Sequence, residues 1–470
     1  MAARISKNVF QNEKIQMEMQ WTKIFLPEIK ELIETKDFKG LRDFLRERHP
    51  ADIVDILRVL DPTERVMGFR LLDKNKISEV FALFEPVEQE ELLKQFTEQH
   101  AKEILTEMQP DDRTQLFDEL PAHVVEKLLK LLPPLERKEA NELLNYPHNS
   151  AGRIMTPEYV DLQMDMTVAK ALEHIRKTGP NRETIYICYI VDETKKLRGV
   201  ASLKNIILAN PEQLIKDIMN ENVFYVHTTD DQEKAAQVVQ KYDILAVPVV
   251  DNEDRLVGIV TVDDVLDVVQ EEVTEDFQRM AGIQTIEEEY FRVGFSKRIL
   301  NRVTWLVVLV IAATISQAIL KRYSGILSSM IALAYFIPML TGSGGNTGSQ
   351  SSTLIIRALA TGEVKSREWW HIILREFKVG ATLGLIMGMI AFTIAAISLG
   401  KISVAVTVGI SLCTVVCVGN IVGLTIPLFF RFIKLDPAFA SAPLIATLLD
   451  ATGLVIYFEI AHRILATTTP

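Results

Sequence analysis

The 470-residue chain contains only three cysteines, Cys188, Cys413 and Cys417. Three thiols cannot form the disulfide framework of a secreted scaffold, and they are too few for a four-cysteine zinc site. The first residues are polar and lack the apolar core of a secretory signal peptide. We therefore expect the first half of the chain to remain in the cytoplasm.

The chain also lacks an excess of positive charge. Its 62 Asp and Glu outnumber its 51 Lys and Arg, which gives a net charge of −11. The imbalance is uneven, because residues 299–470 carry a balance of +6 and the residues before them a balance of −17. Phosphates would be repelled by an acidic half of this size, so no nucleic acid partner is expected. Such a surface suits metal cations, or it simply keeps a domain soluble.

Long hydrophobic runs are confined to the C-terminal part, and each is long enough to cross a bilayer at about 1.5 Å per residue. The five candidate spans are Val303–Leu320, Ile326 to about Leu359, Val379–Leu399, Val404–Phe432 and Phe439–Leu465. Basic residues flank them unequally, and the positive-inside rule places the N-terminal half in the cytoplasm and the C-terminus outside. We expect a multi-pass protein in the lipid bilayer of the plasma membrane.

The second hydrophobic run is interrupted by a polar stretch, Thr341 to Ser352. Its glycines, hydroxyls and amides cannot form a lipid-facing helix, because freed backbone groups would lack partners in hydrocarbon. Broken helices of this kind mark ion sites in transporters, so Gly345 and Asn346 are candidate pore-lining residues. Close packing of helices through glycine is the alternative. A phosphate-binding loop is not supported, since no Lys-Ser/Thr pair follows the glycines.

One carboxylate, Asp450, lies near the middle of the last hydrophobic run. A charged residue at mid-bilayer costs roughly 2.5–3.5 kcal/mol, so a function is the default explanation. Glu459 lies nearer the outer end, where it can reach the interface. Thr447 and Asn420 are further pore-lining candidates, although an interhelical hydrogen bond also explains Asn420.

A single carboxylate is a poor site for a divalent cation. We therefore expect a symmetric homodimer that brings two Asp450 side chains together. Two hard oxygen donors suit Mg²⁺, which sheds its waters reluctantly and often keeps most of them. No His or Cys lies near Asp450 to favour zinc or copper.

The acidic half begins with an internal repeat of 24 residues. Each copy places a proline at a predicted first helical position and an acidic residue two positions later, near the positive end of the helix. The prolines are Pro62, Pro86, Pro110 and Pro134. Apolar residues between them recur at helical spacing. This pattern predicts a solenoid of helix pairs over residues 21–147, after an extension at residues 1–20.

A second repeat covers residues 148–262, in copies at about 148–210 and 211–262. The strongest matches join Ile187–Asp192 to Ala246–Asp251 and Leu197–Ser202 to Leu256–Thr261. Short β-branched segments alternate with helical stretches, so each copy is predicted to be an α/β unit.

These repeated motifs resemble a tandem pair of CBS domains, regulatory modules of which many bind adenine nucleotides. ATP is therefore a possible ligand of the pair. The acidic residue that often follows the glycine-containing strand is Asp264 in the second copy, but Asn205 stands at the equivalent position of the first. This departure weakens the expectation of nucleotide binding.

Residues 263–298 lead from the CBS pair to the first span and are predicted to form a connecting helix. Asp264, Asp267, Glu271 and Glu275 fall on one face at spacings of three and four residues. Like charges so placed repel by a few tenths of a kcal/mol per pair. A solvated acidic face is the usual explanation. The position between a regulatory module and a membrane domain favours the binding of regulatory cations.

Taken together, these features resemble the MgtE family of magnesium channels and transporters. The resemblance is most specific in Pro338–Gln350, Thr353–Thr361 and Asp436–Gly453. It implies a homodimer with a pore along its axis and Asp450 as the selectivity carboxylate. It also implies that Mg²⁺ is both the transported ion and a cytosolic ligand that closes the pore by binding between the domains.

The same resemblance assigns regulatory ligands on this chain. They are Glu79 and Asp111 in the solenoid, Asp231, Glu233, Asp243, Asp264 and Asp267 in or beside the CBS pair, and Glu272, Glu275, Asp276 and Asp436 near the spans. Arg153 and Gln240 stand at positions where a backbone group is a possible ligand.

The predicted fold is therefore multi-domain: an all-α helical-repeat domain, an α/β tandem CBS pair, a long connecting helix and an all-α transmembrane domain of five helices over residues 299–470. The predicted function is Mg²⁺ uptake, closed by cytosolic Mg²⁺. A CBS-regulated carrier that couples a divalent cation to Na⁺ or H⁺ is the alternative. A membrane-embedded metallohydrolase would need a second titratable group near Asp450, and the sequence offers none, so no enzyme is expected.

Overall fold

The structure, a computed structural model, describes residues 25–285, 293–361, 363–364 and 369–466. It divides into two compact units, Met1–Val269 and Gln270–Pro470. The first unit contains the helical repeats and two small sheets, and the second contains long apolar helices. The predicted extension at residues 1–20 lies outside the described residues.

The repeat region folds into short helices, and most pack against the helix two positions further along the chain. After a helical stretch at residues 25–34 they are α1 (Phe38–Arg46), α2 (Pro50–Arg58), α3 (Pro62–Leu71), α4 (Lys74–Ala82), α5 (Pro86–Gln95), α6 (Glu98–Glu107), α7 (Pro110–Glu119), α8 (Ala122–Leu131) and α9 (Pro134–Leu144). Each repeat proline is the first residue of its helix. One continuous apolar core, which includes the fully buried Phe69 and Ile104, runs through the stack. The predicted solenoid is confirmed.

A repeated hydrogen bond joins consecutive helices of this solenoid. The residue three positions after each repeat proline donates its side chain to a carbonyl near the end of the preceding helix, at 2.9–3.1 Å. The donors are Arg65, Gln89, Arg113 and Arg137, and the acceptors are the carbonyls of Leu57, Phe81, Leu105 and Lys130. The last carbonyls of a helix have no partner within the helix, so this bond satisfies groups that burial would otherwise leave unpaired.

Two three-stranded sheets of the same topology follow the solenoid. Their strands are β1 (Val160–Gln163), β2 (Ile187–Val191), β3 (Leu197–Ser202), β4 (Val226–His227), β5 (Ala246–Val250) and β6 (Leu256–Thr261), and the helices among them are α10 (Val168–Thr178), α11 (Leu203–Leu208) and α12 (Gln232–Tyr242). In each sheet the first pair of strands is parallel and the second pair is antiparallel. The matched sequence segments are thus equivalent strands, which confirms the prediction of one α/β unit used twice.

The connecting helix, α13 (Val262–Met280), starts directly after β6 and ends well before the first span. It occupies the first half of the predicted 263–298 segment. The chain then turns at Gly282, whose φ of +71° lies in the left-handed region that favours glycine. A Cβ at Gly282 would collide with the Trp305 ring, so a larger residue is excluded for a second reason. Residues 286–292 lie outside the described residues.

Five long helices make up most of the described part of the second unit. They are α14 (Phe295–Arg322), α16 (Ile337–Ala360), α17 (Trp369–Leu399), α18 (Ile402–Phe432) and α19 (Ala442–Ala466), with the short α15 (Ser324–Ser329) between α14 and α16. Among the described residues, four of them are long and apolar enough to cross a membrane, and α16 is the exception. The number of long helices agrees with the five predicted spans, while the polar stretch keeps α16 below the hydropathy of a membrane span.

The prediction that the polar stretch breaks its helix is wrong. α16 continues without interruption from Ile337 to Ala360, and the irregular backbone lies earlier, at Met330 and a 3₁₀ segment, Ile331–Phe336. The physical reason is burial against protein. The polar face of α16 packs on α18 and α19, and two of its hydroxyls donate to carbonyls outside the helix: Ser349 to Ala442 of α19 (3.3 Å) and Ser352 to Ala440 just before α19 (3.2 Å). A polar helix face that contacts neighbouring helices needs no break to satisfy its backbone.

Glycines allow α16 and α18 to approach until their backbones touch. Gly344 and Gly348 of α16 face Gly419 and Gly423 of α18, with four-residue spacing on both helices. A Cβ on Gly419 would lie 2.9 Å from the carbonyl oxygen of Gly344, closer than side chains normally pack. This contact is the close glycine packing that the sequence left as the alternative to a broken helix.

Candidate metal sites

The membrane carboxylate Asp450 lies in the first half of α19 and is half-buried. No hydrogen bond or ion pair to its carboxylate exists within the described part of the chain. Ala446, one turn earlier on the same side of the helix, touches α16 at Gly345, where a Cβ would lie 3.2 Å from that of Ala446. The Thr447 hydroxyl donates to the carbonyl of Pro443 at 2.9 Å. Asp450 is therefore one turn from the contact between α16 and α19.

The other pore-lining candidates differ in their surroundings. Gly345 is buried against α19, whereas Asn346 is exposed. Asn420 of α18 donates its amide to the backbone carbonyl of Glu376 on α17 (2.8 Å) and to the Glu376 carboxylate (3.0 Å). The interhelical hydrogen bond inferred for Asn420 is present, and this contact gives no support to a pore-lining role.

A cluster of six carboxylates forms in the first unit and is here called the acidic cluster. Three elements supply it: the first turn of α7, the loop before β2, and the first two turns of α13. Its members are Asp111, Asp112, Glu183, Asp263, Asp264 and Asp267. Three of them, Asp111, Asp264 and Asp267, are predicted regulatory ligands, so the fold brings together residues about 150 positions apart in the sequence.

Burial and mutual repulsion keep protons on the acidic cluster. Burial, with the charges of Asp263 and Asp267, raises the pKa of Asp112 to about 6. Burial and neighbouring carboxylates raise the pKa values of Glu183 and Asp264 to about 7, although hydrogen bonds from Thr261 oppose the shift at Asp264.

Two oxygens of the acidic cluster have no hydrogen-bond partner. They are the buried Asp111 Oδ1 and Glu183 Oε2. The pKa of Asp111 lies well above its usual range, because of burial first and the charge of Asp264 second. Within the described chain no ion pair reaches any of the six carboxylates. The cluster therefore has excess negative charge that bound protons or cations can neutralise.

The acidic cluster is not a preformed chelate. Throughout the described residues, no three His, Cys, Asp or Glu side chains are arranged to hold a metal ion. Mg²⁺ is commonly bound by one or two carboxylates and several of its own waters. The chemistry of the cluster fits such an ion, since it offers hard oxygen donors with excess negative charge.

Two further predicted ligands, Glu275 and Asp436, lie close together in the second unit. Arg279, in the last turn of α13, forms ion pairs with both Glu275 and Asp436. Glu275 also accepts the Thr285 hydroxyl at 3.1 Å, and Asp436 accepts the backbone N–H of Ala438 at 2.8 Å. The guanidinium thus joins the end of the connecting helix to the segment that precedes α19.

The remaining predicted ligands are located at α4, α12 and α13. Asp231 caps α12 by accepting the N–H of Glu233 (2.9 Å), and Asp243 ends the same helix with a φ of +52°. Glu79 is exposed on α4. The last two lie along the second half of α13: Glu272 and Asp276.

The Arg153 side chain is buried and bonded to neighbouring groups of the protein. Its buried side chain forms an ion pair with Asp118 of α7 and donates to carbonyls at the end of α9, among them that of Tyr146 (3.2 Å). It repeats, where the chain leaves the solenoid, the hydrogen bond that links the solenoid helices, and the nearby Thr156 pairs with Ile259 of β6 in the second sheet.

Sequence reasoning missed three members of the acidic cluster. Asp112 and Asp263 are each adjacent to a predicted ligand, so a search for neighbouring acids would have found them. Glu183 carries no such signal, because it lies in a loop between α10 and β2 that only the tertiary fold brings to α7 and α13.

Comparison with known proteins gives the same domain order. Sequence models of three families match the chain: a divalent cation transporter domain at residues 337–460, an MgtE intracellular N domain at 48–149, and CBS domains at 151–212 and 215–271. The magnesium transporter MgtE of Thermus thermophilus is 40% identical over 93% of this chain and 98% of its own length. The chain belongs to the MgtE family. The Bacillus subtilis MgtE is 33% identical over 92% of this chain and 95% of its own length.

Solved structures of MgtE relatives cover the cytosolic half. The cytosolic domain of the Mg²⁺ channel MgtE in complex with ATP matches 52% of this chain and 99% of its own, with a TM-score of 0.50 and 41% identity. The soluble part of a magnesium transporter matches 53% of this chain and 99% of its own, with a TM-score of 0.51 and 34% identity.

These matches confirm the predicted family and fold class. As an MgtE-family member with apolar C-terminal helices, the chain is a membrane protein. The solved cytosolic domain of the relative contains ATP. In this chain one carboxylate oxygen of Asp264 accepts both the N–H and the hydroxyl of Thr261, so this oxygen already caps the start of α13.

The raised pKa values predict a pH-dependent stability. The folded chain holds protons on Asp112, Glu183 and Asp264 up to pH 6–7, while unfolded carboxyls release them near pH 4. The folded state therefore binds more protons in this window, and its stability falls as pH rises from 4 to 7. Without divalent cations, we expect the thermal midpoint of the full chain to be on the order of 5 °C higher at pH 5.5 than at pH 7.5.

The double variant Glu183→Gln, Asp264→Asn should lose most of that difference, because it removes two of the shifted groups. The exposed Asp165→Asn is the matched control and should keep it. An equal pH dependence in the double variant and the control would contradict the assignment.

Proposed function

We propose that this chain carries Mg²⁺ across the plasma membrane along a path that passes Asp450, with its C-terminus outside. The proposal rests on the half-buried Asp450 carboxylate, which lies in an apolar helix. This carboxylate has no hydrogen bond or ion pair among the described residues. A charge in this position is costly, and a passing cation offsets the cost. Mg²⁺ is favoured because two relatives that match 93% and 92% of this chain are named magnesium transporters.

Replacing Asp450 tests this proposal. In proteoliposomes with an imposed membrane potential, Asp450→Ala should reduce Mg²⁺ influx at least about tenfold, because loss of even 1.4 kcal/mol of cation stabilisation corresponds to that factor. Asp450→Asn should retain more flux, since it keeps an oxygen donor of similar volume. Glu459→Gln is the matched control on the same helix and should stay near normal, because Gln can still accept the Tyr323 hydroxyl that Glu459 accepts (2.6 Å).

The same assay separates a channel from a carrier. A channel path predicts Mg²⁺ influx that is unaffected by removal of Na⁺ or by collapse of the proton gradient at constant potential. Flux that requires either gradient would support the coupled carrier instead. Near-normal influx in Asp450→Ala would contradict the role of Asp450 in both the channel and the carrier scheme.

A homodimer is the assembly that we propose. A divalent ion is better bound by two Asp450 carboxylates across a symmetry axis than by one. A second observation supports this assembly. The connecting helix exposes an apolar stripe, Leu266, Val269, Val273 and Phe277, spaced three, four and four residues apart. Stripes with this spacing pair helices in coiled coils, and a second copy of α13 is the partner that offers the same stripe.

Cysteine crosslinking measures this assembly directly. Val273→Cys on the stripe should form a disulfide-linked dimer of the full chain in membranes, in a background in which Cys188, Cys413 and Cys417 are replaced. Glu271→Cys, on another face of the same helix, is the control and should crosslink far less. Crosslinking that is equal at both positions, or absent from Val273→Cys, would contradict pairing through the stripe.

We propose that cytosolic Mg²⁺ closes the path by binding at the acidic cluster. The carboxylates of α7, the loop before β2 and α13 lie together, and Asp111 and Glu183 each have a buried oxygen without a hydrogen bond. Both observations support this proposal. Without cations they repel one another and favour separation of these elements. A bound cation converts repulsion into attraction and draws the start of the connecting helix against the solenoid. A ligand shifts such an equilibrium only by its differential affinity for the two states, and the cluster provides that difference.

Neutralising the start of α13 tests the gating scheme. Asp264→Asn with Asp267→Asn should leave conduction intact and raise the cytosolic Mg²⁺ concentration for half-closure about tenfold, a factor equal to 1.4 kcal/mol of lost cation binding. Patch recording with Mg²⁺ varied on the inner face measures it. Asp165→Asn, an exposed carboxylate of the same unit, should close like the unmodified chain. Closure of the double variant at the unmodified concentration would show that the acidic cluster is not the sensor.

A further inference from the structure

Arg279 occupies a position that the cation scheme does not explain. It lies in the last turn of α13, and its guanidinium forms ion pairs with Glu275, one turn earlier, and with Asp436, 157 residues further along the chain. Both carboxylates are predicted cation ligands. A side chain of the protein therefore already supplies a positive charge between these two carboxylates.

The surroundings fix this guanidinium in place. Its central carbon lies 5.3 Å from the centre of the Phe439 ring, within the range of a cation–π contact. The exposed fractions of the Arg279, Glu275 and Asp436 side chains are 29%, 18% and 29%, so water screens these ion pairs only in part. A guanidinium is always charged and offers several donors in one plane, which suits it to bridging two carboxylates.

The bridge joins two functional parts of the second unit. Glu275 belongs to the connecting helix, and Asp436 is the N-cap of the 3₁₀ turn Pro437–Phe439, which leads into α19. α19 is the helix that carries Asp450. Asp436 makes this cap with its second carboxylate oxygen, which accepts the N–H of Ala438.

We propose that Arg279 is an internal competitor of the regulatory cation. It ties the connecting helix to the entrance of α19 when divalent cations are scarce, and it sets the concentration at which such a cation takes its place between Glu275 and Asp436. A divalent ion that binds these carboxylates directly must first displace the guanidinium, so part of its binding free energy is consumed in breaking two ion pairs. This inference rests on the proposed closure by cytosolic Mg²⁺.

Removing the competitor should make the chain more sensitive to Mg²⁺. Arg279→Gln leaves two carboxylates close together without a cation, and a divalent ion then binds without displacing a partner. Half-exposed ion pairs are modest, so the Mg²⁺ concentration for the half-maximal response should fall about five- to tenfold. Arg279→Lys keeps the charge but lacks the planar fork, and it should shift the response in the same direction by less.

Limited proteolysis of the full-length chain in lipid nanodiscs, titrated with Mg²⁺, is the measurement. It reports the compaction of the connecting region without requiring transport. Arg322→Gln, which removes the same charge at the far end of α14, is the control and should leave the midpoint within twofold. In the double variant Glu275→Gln, Arg279→Gln the gain in sensitivity should disappear, because a ligand is lost together with the competitor.

The outcomes separate the two proposals. If Mg²⁺ protects the unmodified chain and the midpoint of Arg279→Gln falls, the competitor role is supported. A midpoint that stays or rises in Arg279→Gln overturns it while leaving closure by Mg²⁺ intact. If Mg²⁺ does not protect the unmodified chain, closure by Mg²⁺ fails and this inference fails with it. Should Arg279→Gln not fold, the midpoint of Arg279→Lys decides in the same way.

Discussion

A carboxylate that is taken out of water needs a positive charge, and this requirement connects the three sites of the molecule. At Asp450 the described chain supplies no counter-charge within an apolar helix. In the acidic cluster, protons supply the positive charge, and the pKa values of these carboxyls are raised accordingly. At Glu275 and Asp436 an arginine supplies it. Protons meet this demand in the acidic cluster and an arginine meets it between Glu275 and Asp436, whereas at Asp450 the proposed passing cation would meet it.

The fold contributes by bringing residues that are distant in sequence into that electrostatic contact. The hydrogen bonds that link successive solenoid helices fix the position of α7, and with it Asp111 and Asp112. Arg153 makes the same type of bond where the chain leaves the solenoid. Asp264, whose carboxylate caps α13, is in turn fixed to the end of β6. The repulsion within the acidic cluster is therefore maintained by hydrogen bonds and ion pairs elsewhere in the unit.

Much of the fold was predictable because its signals are local. Proline spacing located the solenoid helices, and paired β-branched segments located the strands. The polar stretch of α16 was misread, because sequence shows that a helix is polar but not that its polar face meets two other helices. For the candidate sites, Asp450 and the acids of α13 stood out by position. Glu183 and Arg279 did not, since their importance depends on partners that only the tertiary structure supplies.

The glycine contact between α16 and α18 restricts how a conduction path beside α16 can change its width. Where side chains line a constriction, rotamer changes can open it gradually. Gly344, Gly348, Gly419 and Gly423 have no side chains, and the two backbones already touch. Widening a path on this side therefore requires one of the two helices to move as a rigid body. Such a movement breaks the backbone contacts along the helix crossing together. In the proposed Mg²⁺ path, a change of width at this contact is therefore a helix movement of the kind that separates two conformational states.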